Sequence, residues 1–277
     1  MRFIGLIDRF DVEKYIVLRS FIINSLDASK RVLSAAELDK KTVVFAPHQD
    51  DETLGCGGTV KLKRSRGVDV MVVFMTDGAA AGRQPQFDIS GEALERIRNG
   101  EAIQACSHLG VTDVRFLSYP DGSLLAERVS ATDRVEKILA EFKPEHIFIP
   151  YAKDLHPDHE ATAEIVKSAV VRKGSKATIF EFPVWIKNQW PFVDQPLHSL
   201  RHIVRRIRAL KLFLKEFRVA VDVRDVVEMK KKAIASHRSQ MEGLNADEKW
   251  PTLGGVSNGE WLRSFLRNKE IFKSYEL

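Results

Sequence analysis

Short apolar runs alternate with longer amphipathic stretches between residues 42 and 182. The runs at 42–46 and 70–75 are continuously apolar, which is typical of strands covered on both faces. The intervening stretches carry apolar residues at helical spacing, and Gly110 and Pro144 supply stop signals for two of them. The pattern predicts strands at 42–46, 70–75, 114–117, 146–149 and 177–182, and helices at 53–66, 91–109, 130–142 and 159–172.

Strands that alternate with helices pair in parallel through right-handed crossovers. We therefore predict an α/β fold, a Rossmann-like open and mostly parallel sheet with helices on both faces. The suggested order of the five strands is 3-2-1-4-5, which places a reversal of strand order between the first and the fourth. Ligands of such sheets bind beyond the carboxyl ends of the strands at the reversal. Catalytic or ligand-binding residues are therefore expected in the loops at 47–58 and 150–159.

The rest of the chain is organised around this predicted sheet. Residues 1–40 are interpreted as an N-terminal helical extension, and residues 41–277 as a single domain. Within that domain, a basic and aromatic-containing insertion is expected at about 183–218, where no clear period is visible. Two more helices are predicted at 225–240 and 259–275.

Composition narrows the class of protein. The chain is 44% hydrophobic and 29% charged, which excludes a disordered chain or a fibre. Two cysteines cannot form a disulfide framework, so a reducing, cytoplasmic location is expected. No apolar run reaches the roughly 18–20 residues of a spanning helix, and the first residues do not resemble a secretory signal.

The net charge of +5 is concentrated in one part of the chain. Residues 201–232 contain eleven basic and four acidic residues, a net charge of +7, which leaves −2 for the remainder. The remainder gives no reason to expect a nucleic-acid partner. Three interpretations of 201–218 stay open: a solvated surface, a patch for anionic sugar nucleotides or lipid phosphates, and peripheral attachment to a membrane.

Histidine and aspartate cluster in both loops that the topology nominates. Residues 47–52 read Pro-His-Gln-Asp-Asp-Glu, and residues 154–159 read Asp-Leu-His-Pro-Asp-His. Catalytic zinc sites commonly use three imidazole and carboxylate ligands and leave one position open. Either cluster alone could be a polar turn that caps the following helix. Both clusters together, each after a strand at the predicted reversal, favour a metal site.

These two motifs carry a resemblance to a known family. Residues 46–52 together with 156–159 resemble the PIG-L/LmbE-like family of zinc-dependent N-acetylglucosaminyl deacetylases, and the similarity extends from about residue 43 to 240. Shorter matches are Thr-Asp-Gly at 76–78, Arg98 with Glu101, the stretch 117–124, and His-Arg-Ser-Gln at 237–240. One departure is Gln49, which stands where the family usually has proline, so the loop loses a rigid residue but no ligand.

The resemblance implies roles for individual residues. His48, Asp51 and His159 would hold one zinc ion per chain, although another divalent transition metal could fill the same set. Asp50 would be the general base, and His156 the general acid or the group that stabilises the oxyanion, with Asp158 beside it as an orienting carboxylate. The residues implied in substrate contact are Asp77, Arg98, Asp121, His237 and Gln240, several of which could instead be structural, as turn formers or packing residues.

The resemblance implies a hydrolase that removes the acetyl group from an N-acetylated amino sugar and leaves acetate and a free amine. Phe182, Trp185, Trp190 and Phe192 could form a wall on which a sugar stacks, or could belong to the core. A catalytically inactive sugar- or membrane-binding protein is one alternative. A nucleotide-dependent Rossmann enzyme is another, but the glycines at 55–58 lack the full dinucleotide spacing. The natural substrate and the oligomeric state, including a homo-oligomer, stay open.

Overall fold

The computed structural model describes residues 9–80, 89–194, 200–244, 250 and 252–277. The helices are α1 Arg9–Ala28, α2 Ala35–Leu38, α3 Asp51–Ser65, α4 Gly91–Leu109, α5 Arg128–Phe142, α6 Pro157–Lys173, α7 Leu200–Lys215, α8 Val227–Ser236, α9 Arg238–Met241 and α10 Glu260–Arg263. The strands are β1 Arg31–Val32, β2 Thr42–Ala46, β3 Val70–Thr76, β4 Asp113–Tyr119, β5 His146–Pro150, β6 Thr178–Phe182, β7 Val219–Asp222 and β8 Lys269–Tyr275. Short 3₁₀ segments lie at Leu124–Glu127, Trp185–Lys187 and Leu253–Gly259.

The described strands form one mixed sheet in the order β1-β7-β8-β6-β5-β2-β3-β4. Neighbours from β6 to β4 pair in parallel, whereas β8 is antiparallel to both β6 and β7. The predicted α/β class, with helices on both faces of a mostly parallel sheet, is confirmed. β2 lies between β3 and β5, so the loops after β2 and β5 begin at neighbouring positions on the same edge.

The strand order of the whole sheet differs from the suggested five-strand order, because three unpredicted strands continue it beyond β6. The helix predicted at 259–275 is wrong: its second half is the strand β8, which pairs on both sides. Part of the segment 1–40 also joins the sheet, since β1 pairs with β7. These additions share one cause, because short or charged strands become strands only through distant partners.

The two largest buried apolar clusters of the described residues lie on opposite faces of the sheet. Alternate residues of a strand point to opposite faces, so Val44 of β2 packs in one cluster and Phe45 in the other. The first cluster includes buried residues of α3, α4 and α8, and the second includes those of α5 and α6. The predicted helix at 91–109 is confirmed as α4, which ends at Gly110 in the left-handed conformation.

Helix α3 approaches the sheet closely through its glycines. It contains a non-helical residue, Cys56, and a β-carbon added at Gly55 would lie 2.2 Å from the Phe182 ring. After this break, the amides of Gly58 and Thr59 donate to the Glu270 carboxylate of β8 at 2.8 and 2.7 Å. The amides that a dinucleotide phosphate could use at this turn are therefore already bonded to a carboxylate.

A buried histidine and a buried lysine lie together at the edge of the sheet where β5 begins. Nδ1 of His146 lies 3.3 Å from Nζ of Lys63, and the same ammonium donates to the carbonyls of Glu37, Leu38 and Lys40. Burial, reinforced by the charge of Lys63, lowers the pKa of His146 to about 3. This imidazole therefore stays neutral in the native state over most of the acidic range.

We expect His146 to make folding stability fall with acidification. Below about pH 6.5 the ring is protonated in the unfolded chain, whereas in the native chain it stays neutral down to about pH 3. Between these two values, the free energy of unfolding therefore falls by about 1.4 kcal/mol for each pH unit of acidification. Urea unfolding of wild type and His146→Asn, measured from about pH 7 to about pH 4, should give a shallower slope for the variant. The same change at His108 of α4 is the control, and equal slopes for wild type and His146→Asn would contradict the expectation.

None of the helices in the described ranges combines the length and the apolarity that crossing a membrane requires.

Candidate metal centre

The loops that follow β2 and β5 bring three histidines together. The ring of His48 lies 4.9 Å from that of His156 and 5.5 Å from that of His159, measured between centroids. Two groups of described residues have ligand atoms that all lie within 4.8 Å of one another: His48 with His156 and His159, and His48 with Asp121 and Asp158. The two sequence clusters therefore converge on one place, as their positions after neighbouring strands predicted.

Asp51, the first residue of α3, connects two of these histidines. Its Oδ2 lies 3.1 Å from Nδ1 of His48 and 3.2 Å from Nε2 of His159. Two ligands of a tetrahedral zinc ion are separated by roughly 3.3 Å, because each lies about 2.0–2.1 Å from the metal. Nε2 of His159 is buried and has no hydrogen bond of acceptable geometry among the described residues. The donor types, their spacing and this unsatisfied nitrogen all fit a divalent metal ion.

Asp154 fixes the orientation of His159. Its Oδ2 lies 2.8 Å from Nδ1 of His159, so the other ring nitrogen faces Asp51. The same fully buried carboxylate accepts hydrogen bonds from the three backbone N–H groups of residues 184–186, and these bonds place Trp185 at the site. A carboxylate behind a metal-binding histidine is a common supporting arrangement. Sequence reasoning missed Asp154 as a site residue, although it opens the second motif.

The second ring nitrogen of His48 faces two more carboxylates. Nε2 lies 3.2 Å from Oδ2 of Asp158 and 3.2 Å from Oδ1 of Asp121. Asp158 also accepts the backbone N–H groups of Gly122 and Leu124 at 2.7 and 3.1 Å. The expected role of Asp158 as a partner of His156 does not match these contacts, because its oxygens are already used by His48 and the turn at 120–124.

The electrostatics reflect this dense packing of acids and imidazoles. Burial opposes the charge on Asp51, but His159 and His48 outweigh it and lower the pKa of the carboxyl. Burial also opposes the charge on His159, yet Asp51 and Asp154 raise its pKa to about 9. Burial, together with the charges of His48 and His159, lowers the pKa of His156 to about 4. A bound cation would take the place of the protons that these pairs share.

Asp50 has an unusual backbone and faces the cavity of the site. Its φ is 153°, a region that residues other than glycine seldom occupy. Nε2 of Gln240 donates to Oδ2 of Asp50 at 2.6 Å. Burial and, secondarily, the neighbouring charge of Asp51 raise the pKa of the Asp50 carboxyl to about 7. Local strain at a carboxylate beside the cavity is typical of a functional position.

A cavity of about 240 Å³ lies beside His48 and His156. It is lined by His48, Asp50, Asp51, Leu54, Ala80, Arg98, Asp121, His156, Val184, Trp185, Gln240, Leu253 and Trp261. Three of the predicted substrate residues, Arg98, Asp121 and Gln240, are therefore at the cavity. Asp77 and His237 are not among its lining residues. Asp77 accepts the N–H groups of Ala79 and Asp121, and so shapes a turn.

His237 lies behind the cavity rather than in its wall. The ring is buried, and its Nε2 is 3.4 Å from Oε1 of Glu52, which is itself buried. Oε2 of Glu52 accepts the N–H of Asp50 at 3.1 Å. Glu52, which is paired with His237, therefore holds the backbone of Asp50 in position through this hydrogen bond.

Of the four aromatic residues proposed as a sugar wall, only Trp185 lines the cavity. Its ring lies 6.1 Å from that of His156 and is stacked on Trp261 at 4.9 Å. Phe182, Trp190 and Phe192 are buried and belong to the body of the protein. Trp261 was missed, because its segment was predicted as part of a long helix.

Comparison with known families decides how this site is classified. The family described as PIG-L, GlcNAc-PI de-N-acetylase, matches residues 43–170, which run from β2 into α6 and include both loops. This part of the chain is a PIG-L family domain. The resemblance inferred from the two motifs is thereby confirmed.

Relatives of known name are similar to this chain beyond the matched domain. The probable N-acetyl-alpha-D-glucosaminyl L-malate deacetylase 2 of Bacillus subtilis (strain 168) is 28% identical over 244 residues, covering 86% of this chain and 99% of the relative. The diacetylchitobiose deacetylase of Thermococcus kodakarensis is 27% identical over 204 residues, covering 73% and 70%. The structure of N,N'-diacetylchitobiose deacetylase from Pyrococcus horikoshii is 26% identical, with a TM-score of 0.58 and coverage of 98% and 94%.

Gln49, which stands where the family resemblance led us to expect proline, anchors the first loop of this PIG-L domain through hydrogen bonds. Its buried amide donates to the carbonyl of Thr76 at 3.2 Å and to Oδ1 of Asn99 at 2.8 Å. Thr76 in turn donates through its hydroxyl to the carbonyl of Pro47 at 2.8 Å. The rigidity expected from a proline ring is thus replaced by hydrogen bonds to β3 and α4.

Proposed function

We propose that this protein is a metal-dependent amide hydrolase that removes the acetyl group from an N-acetylated amino sugar, releasing acetate and a free amine. The observation that carries the proposal is the position of Asp51 between His48 and His159, with Asp50 beside it at a cavity. The named relatives are deacetylases of N-acetylglucosamine-containing compounds, which supports the same bond class.

His48, Asp51 and His159 are the residues that would hold the metal. Two nitrogens and one carboxylate oxygen suit zinc, so we propose zinc as the natural ion, one per chain. A bound metal ion supplies Lewis acidity, which makes an amide carbonyl more electrophilic and a water molecule more acidic. Asp154 and Asp158 orient the rings of His159 and His48 through their hydrogen bonds.

Asp50 is the proposed general base. It takes the proton from the water whose oxygen attacks the acetyl carbon, and Gln240 holds the carboxylate in place for this transfer. The carbon–nitrogen bond then breaks, and Asp50 returns the proton to the nitrogen of the leaving amine. His156 also lines the cavity, where its ring can donate a hydrogen bond to the developing oxyanion.

The sugar is proposed to lie between Trp185 and the polar residues of the cavity. A flat indole suits the apolar face of a pyranose ring, whereas Arg98, Asp121 and Gln240 offer partners for hydroxyl groups. Arg98 is held by its hydrogen bond to the carbonyl of Gly78, so its guanidinium is fixed beside the cavity. The enzyme is proposed to work in the reducing cytoplasm, in keeping with two free, buried cysteines, Cys56 and Cys106.

Metal analysis tests the centre directly. We expect about one transition-metal ion per chain in the purified protein and a loss of most of it in His159→Ala, because the variant removes a ligand. Elemental analysis of both proteins gives the answer, and release of free amine from N-acetylated amino sugars reports activity in parallel. His108→Ala, a histidine of α4 away from the site, is the control. Equal metal content in His159→Ala and wild type would contradict the assigned ligand set.

A further inference from the structure

Helix α7 carries a positive charge that is largely unpaired among the described residues. Leu200–Lys215 contains six arginine and lysine residues and no aspartate or glutamate. Arg206 lies 3.4 Å from Asp194 and over the rings of Tyr15 and Trp190. The other five have no ion pair with a described residue, namely Arg201, Arg205, Arg208, Lys211 and Lys215. Their charges are therefore available to an external anion.

Apolar side chains lie on the outside of the same helix. Ala209 and Phe213 are buried and attach α7 to the body. Ile203, Ile207 and Leu214 share a stripe at helical spacing, yet each is between 44% and 48% exposed. The outer surface of α7 thus combines aliphatic side chains with long cationic ones, over a helix about 24 Å in length.

Helix α1, which is linked to α7, also exposes apolar side chains. Tyr15 of α1 donates to Asp194 at 2.6 Å, and Asp194 also pairs with Arg206 of α7, so the two helices are joined. Val17, Leu18 and Phe21 of α1 are 67%, 55% and 66% exposed. Half of the large apolar side chains exposed in the described ranges lie on α1 and α7. Patches of this kind commonly mark an interaction surface.

We propose that the outer face of α7, together with the exposed side chains of α1, docks the protein on an anionic lipid surface. Phosphate headgroups complement the five unpaired cations, and the aliphatic stripe suits the boundary between headgroups and acyl chains. Arginine and lysine stems can lie along that boundary while their charged ends stay in water. A second copy of the chain fits less well, because two α7 faces would bring like charges together.

The docking face lies close to the candidate metal centre. Arg205 of α7 lines a second cavity together with Leu155 and Trp185, and Trp185 also lines the cavity of the metal centre. A protein seated through α7 therefore keeps its site near the headgroups. The proposed docking does not depend on the proposed hydrolase activity, because vesicle sedimentation measures binding alone.

Sedimentation with vesicles tests the docking. We expect wild type to sediment with phosphatidylglycerol–phosphatidylcholine vesicles at low ionic strength, not with phosphatidylcholine alone, and to be released at about 1 M salt, where charges are screened beyond roughly 3 Å. Arg205→Gln combined with Arg208→Gln should weaken binding about 25-fold, since each basic residue contributes about fivefold. Ile203→Ser combined with Ile207→Ser should weaken it at least about tenfold.

The controls keep the outcome decisive. Lys137→Gln combined with Lys173→Gln removes the same charge from exposed positions on α5 and α6 and should leave binding unchanged. All substitutions are at exposed side chains, and thermal unfolding checks that each variant folds. The proposal is overturned if wild type stays in solution at low ionic strength, or if the control variant loses as much binding as the α7 variants. The proposal is also overturned if wild type does not bind vesicles and light scattering shows that it is a dimer, which the substitutions at Ile203 and Ile207 dissociate.

Discussion

Replacing Asp50 by asparagine is expected to lower the turnover of an N-acetylated amino sugar by about 10²–10⁴-fold, the usual contribution of a general base. Asparagine has the same shape and can still accept the hydrogen bond from Gln240. What it removes is the capacity to take a proton. The loss should therefore appear in kcat rather than in KM.

Metal content separates this result from damage to the centre. Asp50 is not among the proposed ligands, so Asp50→Asn should retain as much metal as wild type, unlike His159→Ala. Asp69→Asn, at an exposed position before β3, is the matched control for the loss of one carboxylate. If Asp50→Asn released acetate at the wild-type rate, the assignment of the base to Asp50 would have to be abandoned.

Replacing Glu270 by alanine is expected to destabilise the protein by about 3–5 kcal/mol. Glu270 and Lys230 form a buried ion pair with a 2.6 Å contact between Oε1 and Nζ. The same carboxylate accepts the N–H groups of Gly58 and Thr59 and the Thr59 hydroxyl. Alanine leaves a buried ammonium without its counter-ion and removes the acceptor of two amides, which urea unfolding measures as a lower free energy of unfolding.

Two further variants test this origin of the stability. Glu270→Gln keeps an acceptor oxygen but not the charge, so its loss should be smaller than that of Glu270→Ala. Adding Lys230→Met to Glu270→Ala should recover part of the loss, because the unpaired charge disappears with the lysine. Strictly additive effects of the two substitutions would show that the pair does not act as a unit.

The five consecutive strands β2 to β6 could be predicted because each contains a short, mainly apolar run and a stretch of helical spacing separates each strand from the next. The strand β8 could not, since Lys269–Tyr275 mixes charged and apolar residues and fits a helical spacing equally well. Its strand conformation depends on pairing with β6 and β7 and on the contact of Glu270 with Lys230, forty residues away in sequence. Local patterns do not contain such information.

The centre of the site could be predicted because its residues lie in two compact motifs at the ends of neighbouring strands. The supporting residues are harder to recognise. Asp154 reaches His159 from within the same loop, where Leu155 has a positive φ of 64° that no local pattern announces. Trp185 and Trp261 come together at the cavity only after the sheet and the 3₁₀ segments have folded. Their roles follow from tertiary contacts and not from spacing.

The central position of β8 has a consequence for how the chain acquires its structure during synthesis. β8 is the last strand along the sequence, yet it lies between β6 and β7 and is the link through which β7 and β1 join the sheet. A ribosome therefore exposes the edges of β6 and β7 before their partner has emerged. Until β8 has been synthesised these edges stay unpaired, and during this time they can pair with another chain or be bound by a chaperone.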